Sequence, residues 1–175
     1  MSPIFADCSH NYMKVPRMYD AANPALTMTT TLFTIGYQGT TLDACSDLLR
    51  AYGVDHVLDG RRRPQSRKPD FGKRRLAAHL ETLQIGYTHL VDLGTPQDLR
   101  DQVRRDHDYP AFFATMEALI AAQPAALDAA LALIAQHTCA LLCFEADHRT
   151  CHRLTVAEAL VARADAALRV VHLAG

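Results

Sequence analysis

The residue types best suited to chemistry crowd into one stretch, Leu141 to Arg153. It reads Leu-Leu-Cys-Phe-Glu-Ala-Asp-His-Arg-Thr-Cys-His-Arg. Two thiols (Cys143, Cys151), two imidazoles (His148, His152), two carboxylates (Glu145, Asp147) and two guanidiniums (Arg149, Arg153) fall within it. An apolar run ends there, a polar loop follows, and a helical pattern begins at Cys-His-Arg. In open α/β sheets, ligands bind at such a strand end.

Several chemistries are open to these residues. Cys143 and Arg149 have the Cys-x5-Arg spacing of a cysteine-phosphatase loop, in which amides cradle a phosphate and the arginine clamps it. Glu145 and Asp147 stand inside that loop and would repel a phosphate, and no glycine opens it. Cys151 is the better nucleophile candidate. Capped by Thr150, it would occupy a first helical turn, where the dipole and its neighbours lower a thiol pKa. His152 would then serve as base or anion donor, with Glu145 as the carboxylate. Arg153 in a first turn opposes the helix dipole, so it is expected to face an anion or one of Glu145, Asp147 and Asp59. Cys143, Cys151 and His152, with Glu145 or Asp147, are also enough donors for a metal-dependent hydrolase. With no CxxC or HxxxH spacing, however, no metal ligand is assigned.

A second stretch follows an earlier apolar run. Asp59-Gly60 leads into Arg61 to Arg75, which carries eight basic residues against one acid, Asp70. Pro64 and Pro69 stiffen it as a loop. Arginines fork with phosphates, so Arg61, Ser66 and Arg67 are candidate anion ligands, with Arg153 across the cleft. The plain alternative is a solvated basic surface. A third polar site, Gly36-Tyr37-Gln38, places Tyr37 in the same cleft. Gly36 and Gly39 fall short of a dinucleotide or Walker fingerprint, so no cofactor is implied. His89 is expected to be a satisfied rim residue.

The elements that must position these sites are legible from periodicity. Strands are expected at Leu32 to Ile35, His56 to Leu58, Tyr87 to Leu90, Cys139 to Phe144 and Leu168 to Leu173. Helices are expected after Thr40 or Thr41 up to Gly53, over Lys73 to Leu83 and Ala111 to Ala122, from Pro124 to Gln136, and from Cys151 to about Ala162, with the polar Gln97 to Arg105 a surface helix or part of a lid. Alternating strands and helices indicate an α/β domain of three layers, α/β/α, on a mostly parallel sheet of about five strands. It would span residues 32–175. Residues 1–31 lack a clean period and are expected to form an arm or extension, disordered or packed on a neighbour. Parallel strands put the three polar sites along one edge of the sheet, which makes Cys143 and Arg153 one wall of a cleft and Asp59 and Arg61 the other.

Composition narrows the class. The chain has 175 residues, 49% of them hydrophobic, and a formal net charge of -1, so its average charge favours neither nucleic acid nor membrane. Five cysteines without a framework spacing indicate a reducing, cytoplasmic compartment. No apolar run approaches the roughly 18 residues of a membrane helix.

Taken together, the motifs resemble a known family. Thr34-Ile35-Gly36-Tyr37, Asp59-Gly60-Arg61 leading to Pro64-Gln65-Ser66-Arg67 and Phe71, Cys143-Phe144-Glu145 and Cys151-His152-Arg153 are similar to those of the family known as domain of unknown function 488, from about Leu32 to about Ala162. Members usually read Thr-Ile-Gly-His-Ser and Asp-Val-Arg at the first two sites, from which Tyr37-Gln38 and Gly60 depart. The resemblance implies a compact α/β domain with the motifs around one cleft, and no particular reaction. The residues lead first to a cleft that binds a phosphorylated small molecule or nucleic acid, with a Cys/His/Glu group if it is an enzyme. The alternatives are a non-catalytic nucleic-acid-binding module and the metal-dependent hydrolase.

Overall fold

A computed structural model describes residues 29–66 and 68–174. Five strands and six α-helices occupy them: β1 (Thr30–Gly36), α1 (Leu42–Ala51), β2 (His56–Asp59), α2 (Lys73–Thr82), β3 (Gly86–His89), α3 (Gln97–Asp106), α4 (Tyr109–Ala121), α5 (Pro124–Gln136), β4 (Cys139–Cys143), α6 (Arg153–Arg163) and β5 (Leu168–Leu173). Most of the expected arm, residues 1–28, lies outside the described residues. β1 nevertheless starts two residues ahead of the expected boundary, because Thr30 and Thr31 pair with Leu168 and Arg169 of β5.

Local chemistry accounts for the ends of several elements. Thr41 caps α1, its hydroxyl accepting from the Ala44 amide at 3.2 Å. Gly53 follows that helix at φ +67°, a conformation that favours glycine. Asp108 caps α4 through the Ala111 amide at 3.0 Å, and proline sits in the first turn of both α4 and α5.

The sheet is entirely parallel, in the order β3-β2-β4-β1-β5. Strand alternation divides its side chains between two cores. Leu32, Leu58, Cys139 and Leu141 pack with α4, α5 and α6, while Phe33, Ile35, Val57, Ala140 and Leu142 pack with α1 and α2. Each buried leucine contributes about 1.5–3 kcal/mol relative to exposure, and strands covered on both faces read as the unbroken apolar run seen in β4. No single helix among the described residues is long and apolar enough to cross a membrane. The apolar pair α4 and α5 is bent by 83° and turns Phe112, Met116, Ile120, Leu127 and Ile134 into the core.

This topology decides where a site can form. β1 and β2 flank β4 and lead into helices on one face of the sheet. β4 leads into α6 on the other. Neighbouring chains therefore part at the carboxyl end of β4, the place where open α/β sheets form a crevice.

Two core thiols test the burial. Cys45 on α1 and Cys139 at the start of β4 are each pushed up from 9.0 to about 12, in both cases chiefly by burial. A raised value means the fold requires the protonated thiol. That contribution is complete below about pH 9 and is lost as pH climbs toward 12. The melting temperature should therefore fall through this window, each thiol adding at most about 1.4 kcal/mol per pH unit to the slope. A Cys45→Ala/Cys139→Ala variant should show a shallower fall in thermal melts between pH 8 and 11. An unchanged slope would assign the loss to other groups.

Candidate functional site

β4 is buried along its whole length and ends at Cys143. The chain beyond it is shaped by its own polar groups. The Asp147 carboxylate accepts from the Arg149 amide at 2.9 Å and starts a short 3-10 turn, His148–Thr150. Cys151 is then extended, and α6 begins only at Arg153. The expected Thr150 cap is replaced. The Thr150 hydroxyl donates to the Asp147 carbonyl at 3.2 Å, and His152 takes the N-cap position without a side-chain capping bond.

Arg153 runs back beneath this loop. Its two terminal nitrogens donate to the carbonyls of Glu145 and Ala146, the second at 2.8 Å, and the residue is 1% exposed. Its Nε has no hydrogen-bond partner among the described residues. The expected carboxylate partner is absent because all three candidates are engaged elsewhere: Asp59 with Arg61, Glu145 with the thiols, Asp147 with Arg149. Gly36 lies directly against the Glu145 carbonyl and Arg153, where a Cβ would overlap the carbonyl. On the far side, the His148 ring stacks on His172 of β5 at 3.7 Å, and His172 is bonded to the Thr34 hydroxyl at 2.8 Å.

The loop so held brings four side chains together. Both Cys143 and Cys151 donate to Oε2 of Glu145, at 3.1 and 3.2 Å. Nδ1 of His152 lies 3.5 Å from the Cys143 sulfur and 4.0 Å from that of Cys151. The four donor atoms are all within 4.8 Å of one another. Nε2 of His152 faces the Gly60 carbonyl at 2.8 Å and carries a proton to bond there, so in the neutral ring the lone pair lies on Nδ1, facing the sulfurs. Cys143, Cys151 and His152 are buried; Glu145 is partly exposed and forms the open side.

Burial and partners set the protonation. The Cys151 thiol is pushed well above its ordinary value, first by burial and then by Cys143. This corrects the expectation of an activated thiol: Cys151 precedes the helix and sits out of water, so no dipole lowers its pKa. Burial raises Glu145, but its own amide, both thiols and His152 outweigh that and hold the carboxyl below its usual range. Arg149 is exposed and paired with Asp147 at 3.0 Å, not turned toward Cys143 as a phosphate clamp.

The opposite wall is a closed network. Asp59 is 0% exposed and takes Arg61 bidentately, Nε at 2.8 Å and a terminal nitrogen at 2.6 Å. The other terminal nitrogen of Arg61 donates to the Tyr37 hydroxyl at 2.8 Å and the Phe71 carbonyl at 2.9 Å. Tyr87 donates to Asp59 at 2.5 Å. The Tyr37 ring stacks on Phe71, centroids 4.1 Å apart. Tyr37, Asp59 and Arg61 thus satisfy one another, where the sequence had suggested that they face a ligand. His89 is a satisfied rim residue, bonded to the Arg61 carbonyl at 2.8 Å and to Lys73 at 3.1 Å. The Ser66 hydroxyl accepts from the Lys68 amide at 3.0 Å, a turn contact, and Arg67 lies outside the described residues.

The profile of the family described as Domain of unknown function DUF488 matches residues 41–160. The chain belongs to that family. The DUF488 match contains both walls of the cleft, from Asp59 and Arg61 to Cys143, Glu145, Cys151, His152 and Arg153, while Tyr37 precedes it. No curated protein and no solved structure matches the chain. Sequence spacing had assigned no metal ligand in this DUF488 domain. Cys143, Cys151 and His152, with Glu145 or Asp147, were nevertheless named as possible donors from their place around one strand-loop-helix junction, and the structure brings Glu145 rather than Asp147 to the other three.

The buried pair is expected to carry folding energy. Asp59→Asn leaves a buried guanidinium without its countercharge and should cost roughly 3–5 kcal/mol. That lowers the melting temperature by roughly 6–20 °C for a domain of this size. A thermal melt of the variant that overlays the parent would show that the pair contributes nothing to stability.

Proposed function

We propose that this DUF488 domain is a metal-dependent hydrolase. Cys143, Cys151 and His152 would hold a divalent ion of the zinc class, with Glu145 at the open side. The observation that carries this is the convergence of the four donor atoms within 4.8 Å, with the His152 lone pair directed inward by the Gly60 carbonyl. An imidazole whose second nitrogen donates to a backbone carbonyl is the usual arrangement of a metal-ligating histidine. Two sulfurs and one nitrogen suit a borderline to soft ion, and three protein ligands with one open position are typical of catalytic zinc.

When bound, such an ion supplies Lewis acidity. The protein's own groups supply the rest. Cys143 and Cys151 would release their protons to solvent when such an ion is held, which would free Oε2 of Glu145 from both sulfurs. The partly exposed carboxylate can then accept a proton from a water entering on that side.

Exposed Arg62, Arg63, Arg74 and Arg75 favour a second reading, a module that binds a phosphorylated ligand or nucleic acid without catalysis. Among the described residues, ion pairs reach only two of them, Arg62 to Asp92 at 3.8 Å and Arg75 to Asp70 at 3.4 Å. Arg61 and Arg153 contribute little to that reading, since their donors serve the protein itself.

Elemental analysis should find one ion per chain, and zinc added to stripped protein should raise its melting temperature. Cys151→Ser and His152→Ala should each weaken binding at least about 10-fold, the smallest loss seen even for groups behind the ligands. Glu145→Gln should keep the ion yet lose roughly 100-fold or more of any chelator-sensitive hydrolysis of p-nitrophenyl esters. Stripped protein that takes up neither zinc nor another first-row divalent ion at micromolar concentration would end the proposal. For the second reading, binding of a single-stranded oligonucleotide should weaken steeply with salt, and salt-independent binding would remove it.

A further inference from the structure

Four cysteines lie among the described residues, all with free thiols. Cys45 is buried on α1 in one core, and Cys139 is buried in the other at the start of β4. Cys143, at the far end of β4, and Cys151 converge instead on one point. Both donate to the same carboxylate oxygen, Oε2 of Glu145, at 3.1 and 3.2 Å, and their sulfurs lie within 4.8 Å of each other. Thiols that already meet at one atom need little more than side-chain rotation to reach the ~2.05 Å of an S–S bond. Glu145 is partly exposed, so a small oxidant entering on its side meets the sulfurs first.

The two thiols are not equivalent. Nδ1 of His152 is 3.5 Å from the Cys143 sulfur and 4.0 Å from that of Cys151. That nitrogen can take the Cys143 proton, which makes Cys143 the attacking thiolate. With hydrogen peroxide as the oxidant, the Cys143 sulfur attacks one peroxide oxygen, the O–O bond breaks and a sulfenic acid forms. The departing hydroxide takes the proton held by His152 and leaves as water. Cys151 then attacks the sulfenic sulfur. The S–S bond forms, the S–O bond breaks, and the second oxygen leaves as water with the Cys151 proton. The dithiol is oxidised by two electrons, and the peroxide is reduced to two waters.

We infer that Cys143 and Cys151 form a reversible dithiol–disulfide pair oxidised by peroxide, with Cys143 attacking and Cys151 resolving. Joined sulfurs are no longer thiolates, and the thiolate is the metal ligand, so oxidation and metal binding at this site exclude each other. The exclusion rests on the metal reading of the site; the disulfide stands without it.

The test treats the full chain, reduced and stripped of metal, with one equivalent of hydrogen peroxide. Titration of the denatured protein should show two of its five thiols lost. A protease digest should yield one linked peptide pair joining Cys143 to Cys151, lighter by two hydrogens and released by dithiothreitol. Both measurements use the unsubstituted chain, so neither depends on a variant that folds. Cys151→Ser should leave a sulfenic acid on Cys143 that dimedone traps, whereas Cys143→Ser should leave none on Cys151. Zinc at about ten times its dissociation constant should slow the thiol loss roughly 10-fold, in proportion to the site left empty. The oxidised protein should take up no zinc until it is reduced. Retention of all five thiols, or loss of thiols only through Cys8, Cys45, Cys139 or links between chains, overturns the pair even where zinc binds. A Cys143–Cys151 link in a protein that takes up no divalent ion supports the pair and removes the metal reading.

Discussion

A carboxylate cannot be stripped of water without a partner, and Asp59 has no exposure at all. Its bidentate contact with Arg61 meets that demand, and the remaining geometry of the cleft follows from it. Arg61 is curled back over the end of β2, and its backbone amide also bonds Asp59, at 3.1 Å. The intervening Gly60 carbonyl is thereby turned toward His152. A folding constraint on one strand thus sets the tautomer of an imidazole on the next element. Tyr37, Phe71 and Tyr87 complete the pair, and burial with the neighbouring Asp59 pushes the Tyr87 phenol above its ordinary value.

A second buried guanidinium works on the opposite wall by other means. Arg153 has no carboxylate and leans on two carbonyls of the loop that follows β4. Those contacts, the close approach of Gly36 and the stack of His148 on His172 hold Glu145 and Cys151 on either side of a short turn. The imidazole of His172 is lowered by burial, with His148 and Arg153 adding to it, which favours its neutral form. The loop is as constrained as a strand, although it has no regular structure beyond its 3-10 turn.

Burial also decides which chemistry the cysteines can do. A thiol that is kept protonated in a dry pocket is a poor nucleophile. On the proposed reading the same thiol, beside an imidazole and a carboxylate, would ligate a metal once an ion displaced the proton that burial retains. Phe144 escapes that pocket and joins the aromatic series on the other wall, so one short chain segment contributes to both surfaces.

The chain's periodicities were sufficient for the architecture. Alternating apolar runs and helical stripes located the five strands and six helices of the described residues, with ends displaced by a residue or two, as at Thr150 and His152 where caps compete. Parallel pairing and the sheet edge that carries the site followed from the alternation alone, because strand-helix-strand units close in one hand. Strand order did not, since nothing in β1 names β4 as its neighbour. Nor was it legible that Asp59 would claim Arg61, that Arg153 would bond carbonyls, or that Cys151 would be buried ahead of its helix. Each is a competition among several possible partners, and only the packed chain decides which charge reaches which partner once water is excluded. The sequence determined the elements and the inventory of reactive groups; the tertiary structure decided their pairing.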